Sequence, residues 1–213
     1  MKRSAAALLV DLGVAIAGAG VALALYWSVD LTFTPWTNYI SDLSIGPGGS
    51  SIVFIVMMVL MAVASGWFFV DSAGSLKRKF GSAAAVNIGR LFGLIHVAAV
   101  IFMVFFPLDP GRPTVFTTHI VSGIVLFACM AVFLVAYAVV FSKGSRLYQI
   151  AAYCAAASAV LCLAFAVLLG LTELIGTLPR HAFIYLLEWG AFGIYLLWLL
   201  SGGLALRADA VKS

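Results

Sequence analysis

Six long apolar runs constrain this chain more than any other feature of its sequence. They cover about residues 5–27, 52–70, 83–106, 115–141, 148–171 and 182–206. A helix needs about 20 apolar residues to cross the hydrocarbon core of a bilayer, and only helices or closed barrels satisfy their backbone groups there. The runs lack the alternating pattern of a barrel strand. The sequence therefore predicts an all-α membrane protein, a bundle of six transmembrane helices forming a single domain over residues 1–213.

The composition excludes a soluble globular domain. Hydrophobic residues make up 64% of the chain and charged residues 9%, whereas a soluble domain carries about 25% charged residues. The net charge of +4 does not indicate a nucleic-acid partner, because the twelve basic residues are scattered at the ends of the runs. Membrane lipids are therefore the expected partners. The sequence leaves open whether the chain also assembles with further copies or with other membrane proteins.

The basic residues predict how the chain is threaded through the membrane. The odd-numbered loops, 31–51, 107–114 and 172–181, contain two of them, and Arg90 lies inside the third run. The other nine lie in the termini and the even-numbered loops: Lys2, Arg3, Lys77, Arg78, Lys79, Lys143, Arg146, Arg207 and Lys212. By the positive-inside rule both termini are cytoplasmic and the odd-numbered loops face outward, as expected for a multi-pass protein of the plasma membrane.

Two ionisable residues lie inside the predicted spans near the inner surface. Asp11 belongs to the first run and Arg90 to the third. An ionisable side chain within a bilayer is costly and points to a function or to a partner. At ~1.5 Å per residue the two lie at similar depth, so we expect an ion pair between them. The alternatives are an arginine that extends to the interface and a path for a proton or substrate.

A second group of polar residues lies in the outer half. His181, Tyr185, Glu188, Phe192 and Tyr195 recur at helical spacing and form one face of the sixth helix. Since this stripe combines polar and aromatic residues, it is expected to face the interior of the bundle.

Further candidates come from other helices and from the outer loops. On the third helix, Gly89 and Gly93 form a GxxxG step that favours close helix contact, and His96 continues the same face. His119 begins the fourth helix. The sequence therefore predicts an outward-facing pocket whose candidate ligand-binding residues are Ser41, Asp42, His96, Asp109, His119, His181, Tyr185 and Glu188. An alternative for Ser41 and Asp42 is that they cap a turn or the next helix.

The residue types in this pocket also allow chemistry. The candidate catalytic residues, acting as acid and base, are His119, His181, Asp42 and Glu188. They come from separate segments without the spacing of a metal motif, so no metal site is predicted. If a metal were present, the expected ligands for zinc are His96, His119, His181 and Asp42. A bis-histidine haem would need a second histidine facing His96, and the sequence offers no obvious one.

Three short blocks connect the chain to a known family. They are Tyr39-Ile40-Ser41-Asp42-Leu43 after the first run, Phe106-Pro107-Leu108-Asp109 at the end of the third, and His119 at the start of the fourth. With these blocks the chain resembles a prokaryotic family of six-span membrane proteins, the domain of unknown function 998, over nearly its whole length. That resemblance implies an integral membrane protein and supplies no catalytic residues.

Two more distant comparisons bear on function. The Tyr-Ile-Ser-Asp block is similar to one in the six-span GPI-anchor remodelling factors and autophagy modulators, where Thr-Gly follows the aspartate; here Leu43-Ser44 follows. That similarity implies a lipid-related role. The intramembrane zinc hydrolases of the alkaline ceramidase and adiponectin receptor superfamily have seven spans and a late HxxxH motif, which this chain lacks.

The sequence thus leaves three functions open. The first is a protein whose outward pocket binds or helps remodel a lipid or another amphipathic ligand. The second is an intramembrane hydrolase that uses the His/Asp cluster, with or without a metal. The third is a structural or accessory subunit of a membrane complex. Whether the chain is an enzyme is not decided by its sequence.

Overall fold

Six long helices make up most of the computed structural model, which describes residues 1–109, 111–178 and 182–212. Of Lys212 only the backbone is described. The helices are α1 (Lys2–Trp27), α2 (Ser50–Phe80), α3 (Ala83–Val104), α4 (Pro113–Phe141), α5 (Arg146–Leu169) and α6 (Ala182–Lys212). Helix α5 continues into a π turn over Gly170–Leu174. All six are long and apolar enough to cross a membrane. The predicted all-α, six-span architecture is confirmed.

Helix α2 shows why an apolar run and a helix need not end together. The run ends near Val70, but the helix continues for ten residues to Phe80. Its last turn contains Lys77, Arg78 and Lys79, and positive charge there stabilises the carbonyl end of a helix. It ends at Gly81, whose φ of 64° lies in the left-handed region that favours glycine.

The helices are arranged as a closed ring in chain order. Each packs against the next, and α6 packs against α1. Because consecutive helices alternate in direction, the bundle has two distinct ends. We call the end where α1 and α3 finish the cap face. The opposite end, where α2, α4 and α6 finish and most of the basic residues lie, is the basic face.

The half of the bundle toward the basic face is filled by aromatic side chains. Phe68, Phe69, Phe133, Tyr137 and Trp198 are all at most 1% exposed. Their ring centroids lie 5.1 to 6.1 Å apart, in tilted and edge-to-face contacts. Between transmembrane helices close packing is a main source of stability, so this cluster stabilises the half of the bundle toward the basic face.

Two glycines let α3 join that cluster. A methyl group added at Gly93 would lie 2.5 Å from the ring of Phe69, and one added at Gly89 would lie 2.9 Å from the ring of Tyr137. Neither distance leaves room for a carbon atom. The GxxxG step therefore provides the close contact that its spacing indicates, and its partners here are the aromatic rings of Phe69 and Tyr137.

The segment between α1 and α2 folds over the cap face. Residues 28–49, which we call the cap segment, contain a short 3-10 helix over Ile40–Ile45. Phe33 and Leu43 are buried among α1, α2 and α6, and the indole N–H of Trp27 donates to the carbonyl of Phe33 at 3.0 Å. The segment is therefore packed onto the bundle through apolar side chains.

Candidate functional site

The half of the ring toward the cap face encloses a cavity. Its volume is about 100 Å³, and residues of α2 to α6 and of the cap segment line it. The chain has six methionines, and five of them line this cavity: Met57, Met58, Met61, Met103 and Met130. A methionine side chain is unbranched and polarisable and adapts its shape to what it contacts. The lining is therefore apolar and deformable.

The cavity is long in the direction of the helix axes. On α4 its lining runs from His119 to Met130, twelve residues whose eleven steps span about 16 Å at 1.5 Å per residue. The hydrocarbon core of a bilayer is about 30 Å thick. The lining on α4 is therefore about as long as one leaflet is thick, and the aromatic cluster occupies the other half of the bundle.

Helix α6 holds the cap segment over the cavity with two consecutive residues. The carboxylate of Glu188, which is 3% exposed, accepts a hydrogen bond from the backbone N–H of Ile40 at 2.6 Å. The hydroxyl and backbone N–H of Ser41 also hydrogen-bond to this carboxylate. The indole N–H of Trp189 donates to the carbonyl of Asn38 at 3.0 Å. Both residues bind the backbone of the cap segment, which fixes its position over the cavity.

A tyrosine of the cap segment is anchored to the π turn. The hydroxyl of Tyr39 donates to Glu173 at 3.2 Å, and its ring packs against Tyr185 with centroids 4.6 Å apart. Burial, reinforced by the Glu173 carboxylate, raises the pKa of the Tyr39 phenol above its ordinary value. The phenol therefore stays protonated and keeps donating to Glu173.

Two histidines line the cavity in defined tautomers. Nδ1 of His119 lies 2.6 Å from the carbonyl oxygen of Phe106, and Nδ1 of His96 lies 3.2 Å from that of Leu126. A carbonyl oxygen only accepts hydrogen bonds, so each Nδ1 carries the proton. In a neutral imidazole the other nitrogen, Nε2, then has a lone pair and no hydrogen.

The deep end of the cavity has a buried carboxylate behind its wall. Ser65 and Tyr195 line the cavity there. Both hydroxyls donate to Oδ2 of Asp11, that of Tyr195 at 3.3 Å. Asp11 is completely buried, and its Oδ1 has no hydrogen-bond partner among the described residues. The three side chains form a polar contact between α1, α2 and α6 in the middle of the bundle.

This arrangement corrects the predicted ion pair between Asp11 and Arg90. Helix α2 lies between α1 and α3 in the ring, and the side chain of Arg90 is on an exposed face of α3. Asp11 instead points toward α2 and α6. Similar depth did not make the two residues neighbours, because depth says nothing about the order of helices around a ring.

The structure brings four of the eight predicted pocket residues together. Ser41, His96, His119 and Glu188 all line the cavity. Ser65 and the methionines were not among the predicted residues; the close spacing of Met57, Met58 and Met61 along the sequence was the signal that could have identified the methionines. His181 falls outside the described residues.

The other predicted residues have separate surroundings. Tyr185 packs on Tyr39, as described. Asp42 accepts hydrogen bonds from the backbone N–H of Tyr39 at 2.9 Å and from the side chain of Asn38 at 3.3 Å, so it caps the 3-10 helix. That is the alternative role considered for it.

Asp109 lies in the loop between α3 and α4. It accepts a hydrogen bond from Arg112 at 2.6 Å, and this bond together with the backbone N–H of Gly111 lowers the pKa of its carboxyl. The pair lies outside the cavity lining.

The described residues contain no group of three His, Cys, Asp or Glu side chains that could hold a metal ion. His96 and His119 share the cavity, but each is oriented by its own backbone carbonyl. Within this part of the chain the predicted zinc ligands therefore do not form a set.

A ring of six apolar helices, with carboxylates buried between them, defines a multi-pass integral membrane protein. The chain belongs to the family described as Protein of unknown function (DUF998), whose model matches residues 12–205. The predicted resemblance to that family is confirmed. Searches of curated proteins and of solved structures found no significant match, so the more distant similarity to the GPI-anchor remodelling factors has no support from these comparisons.

Proposed function

We propose that this protein binds the hydrocarbon chain of a lipid or another amphiphile in the cavity beneath its cap segment. The observation that carries the proposal is the combination of an apolar, methionine-rich cavity about one leaflet deep with polar groups at its mouth. Binding sites for small molecules are typically apolar with a few polar groups that orient the ligand. Here Glu188, Ser41 and His119 supply those groups.

The proposal includes an orientation. With nine of the twelve basic residues in the termini and even-numbered loops, the positive-inside rule places the basic face in the cytoplasm. The cap face then lies at the outer surface of the plasma membrane. An amphiphile in the cavity has its chain at the depth of the outer leaflet and its polar end near Glu188. In this role the protein either binds the lipid without changing it or helps to remodel it.

A substitution that fills the cavity tests the proposal. Gly123 lines the cavity, and a methyl group added there would make an ordinary contact of 3.6 Å with Leu169. Gly123→Leu therefore introduces a side chain that extends into the cavity without a backbone clash. Gly193→Leu is the matched control, because nothing lies within 4 Å of a methyl group at that exposed position on α6.

The measurement is the amount of lipid that remains with the purified protein. Each variant is purified in a mild detergent, washed, and analysed by native mass spectrometry for bound lipid per chain. We expect the wild type and Gly193→Leu to retain lipid in stoichiometric amounts and Gly123→Leu to lose most of it. Equal retention by all three, with the variants folded, would contradict the proposal.

A further inference from the structure

We infer that the amphiphile held in this cavity carries a cationic amine at its polar end. This inference rests on the proposed function and adds the chemistry of the ligand. Two observations support it: the direction of the hydrogen bonds along the polar part of the cavity wall, and the absence of Lys and Arg from the described lining beside the buried carboxylate of Glu188.

The hydrogen-bond donors of the wall are all engaged with protein acceptors. The imidazole Nδ1–H groups of His96 and His119 donate to backbone carbonyls. The hydroxyls of Ser65 and Tyr195 donate to Asp11. At the mouth, the hydroxyls of Ser41 and Tyr39 donate to Glu188 and Glu173.

What remains along the wall is a set of acceptors. The two imidazoles have Nε2 lone pairs, each hydroxyl oxygen has lone pairs, and an ionised Glu188 has only acceptor oxygens. A polar ligand group that only accepts hydrogen bonds would lose its water and gain nothing in return, which is costly in a buried site. A ligand that donates hydrogen bonds satisfies the wall and its own donors together.

The charged side chains around the cavity favour a cationic ligand over a neutral hydrogen-bond donor. Among the described residues that line the cavity none is Lys or Arg. The Glu188 carboxylate is 3% exposed, and Asp11 is fully buried behind Ser65 and Tyr195 at the deep end of the cavity. Glu188 forms no ion pair with any cation in the described part of the chain. A buried carboxylate without a counter-charge is unfavourable. An ammonium group at the mouth would neutralise Glu188 and donate up to three hydrogen bonds, whereas a phosphate or carboxylate would add like charge.

Three amphiphiles with the same chain distinguish the headgroups. The wild type and the Gly123→Leu variant are placed in phosphatidylcholine nanodiscs, and the binding of dodecylammonium, dodecanol and dodecanoate is measured at pH 7.5 by equilibrium dialysis of radiolabelled ligand. The amine is ionised there because its pKa lies near that of lysine, about 10.4. Binding to the cavity is the part that Gly123→Leu removes, which separates it from partition into the lipid.

The two proposals fail in different ways. If Gly123→Leu removes no binding of any of the three compounds, the proposed function is wrong. If it does remove binding, we expect the amine to bind about tenfold or more tightly than the alcohol, since one charge-assisted hydrogen bond is worth at least that much, and the carboxylate to bind most weakly. Cavity binding in which dodecanol or dodecanoate equals the amine would overturn the inference and leave the proposed function standing.

A substitution at Glu188 tests which group selects the amine. Glu188→Gln keeps a carbonyl oxygen that can accept from Ile40 and removes the negative charge. We expect it to abolish the preference for the amine over the alcohol while dodecanol still binds. Glu173→Gln is the matched control, because Glu173 does not line the cavity and the amide oxygen of glutamine can still accept from Tyr39, so this variant should keep the preference. If Glu188→Gln does not fold, the ranking of the three compounds by the wild type decides the inference alone.

Discussion

Replacing Gly93 by alanine tests the packing that holds the basic half of the ring together. The added methyl carbon would lie 2.5 Å from Cε1 and Cζ of Phe69, whereas carbon atoms pack at about 3.5–4.0 Å. The aromatic ring of Phe69 cannot easily move by that amount. It is 1% exposed and contacts Phe68, Phe133 and Tyr137 with centroids 5.4, 5.1 and 6.1 Å away.

The size of the effect follows from a comparison with a second glycine. Forcing an extra methyl group into a packed core costs about 1–3 kcal/mol, but alanine also favours the helix over glycine by about 1 kcal/mol. Gly66→Ala has the same helix benefit and only an ordinary contact of 3.7 Å with Val97. The difference between the two variants therefore isolates the steric cost, about 1–3 kcal/mol. For a chain of this size that is a difference of about 2–12 °C in Tm.

The assay is the fraction of protein that remains monodisperse in detergent by size-exclusion chromatography after heating to a series of temperatures. We expect Gly93→Ala to lose its folded peak below Gly66→Ala. In a Phe69→Leu background, where the ring is absent, the penalty of Gly93→Ala should shrink, since the two positions are in direct contact. The reasoning is refuted if Gly93→Ala is as stable as Gly66→Ala, or if its penalty is unchanged by Phe69→Leu.

Three further predictions concern the loops. Gly48 and Gly49 both have positive φ, but a methyl group at Gly48 would lie 2.7 Å from a backbone carbonyl oxygen of α1 and one at Gly49 meets nothing within 4 Å, so Gly48→Ala should lower Tm more than Gly49→Ala in the same heating assay. Arg112→Gln should raise the pKa of Asp109 toward its ordinary value, because the main cause of its lowering is removed; NMR titration of the carboxyl group measures this pKa. A lowered carboxyl pKa stabilises the fold only above the acid range. The difference in stability between the wild type and Arg112→Gln should therefore vanish as the pH falls. Trp189→Phe removes one donor to the cap segment and should speed amide exchange at residues 38–41 while leaving the helices protected; unchanged exchange would show that this hydrogen bond does not hold the segment.

The fold was predictable because a bilayer allows few solutions. Hydropathy placed all six helices, and the family resemblance was confirmed. What hydropathy could not place was the end of α2, which continues to Phe80 through a basic turn with good helix formers. Nor could it predict that the cap segment contains a short helix, since Asp42 fulfils a local capping role within a segment that is otherwise irregular.

For the site, the sequence predicted which residues share one face of a helix but not which helices face each other. Spacing on α6 indicated that Glu188 faces inward, and it does, with Tyr195 about two turns further along the same helix. The partner of Asp11 was not predictable, because periodicity gives the face of a helix and its depth but not the helix opposite. Placing α6 beside α1 required the closed ring, which is a long-range property of the whole chain.

The closed ring also determines the order in which the protein can assemble. Helices of a growing chain become available from the N-terminus onward, so α1 to α5 can pack in sequence as each is inserted. The contact between α1 and α6 forms only when α6 is inserted. That helix carries Glu188 and Trp189, which hold the cap segment, and Tyr195, which reaches Asp11. A nascent chain therefore has an open-sided groove until α6 is inserted. Insertion of α6 then supplies one wall of the cavity, the residues that hold the cap segment and the tyrosine that reaches Asp11 in a single step.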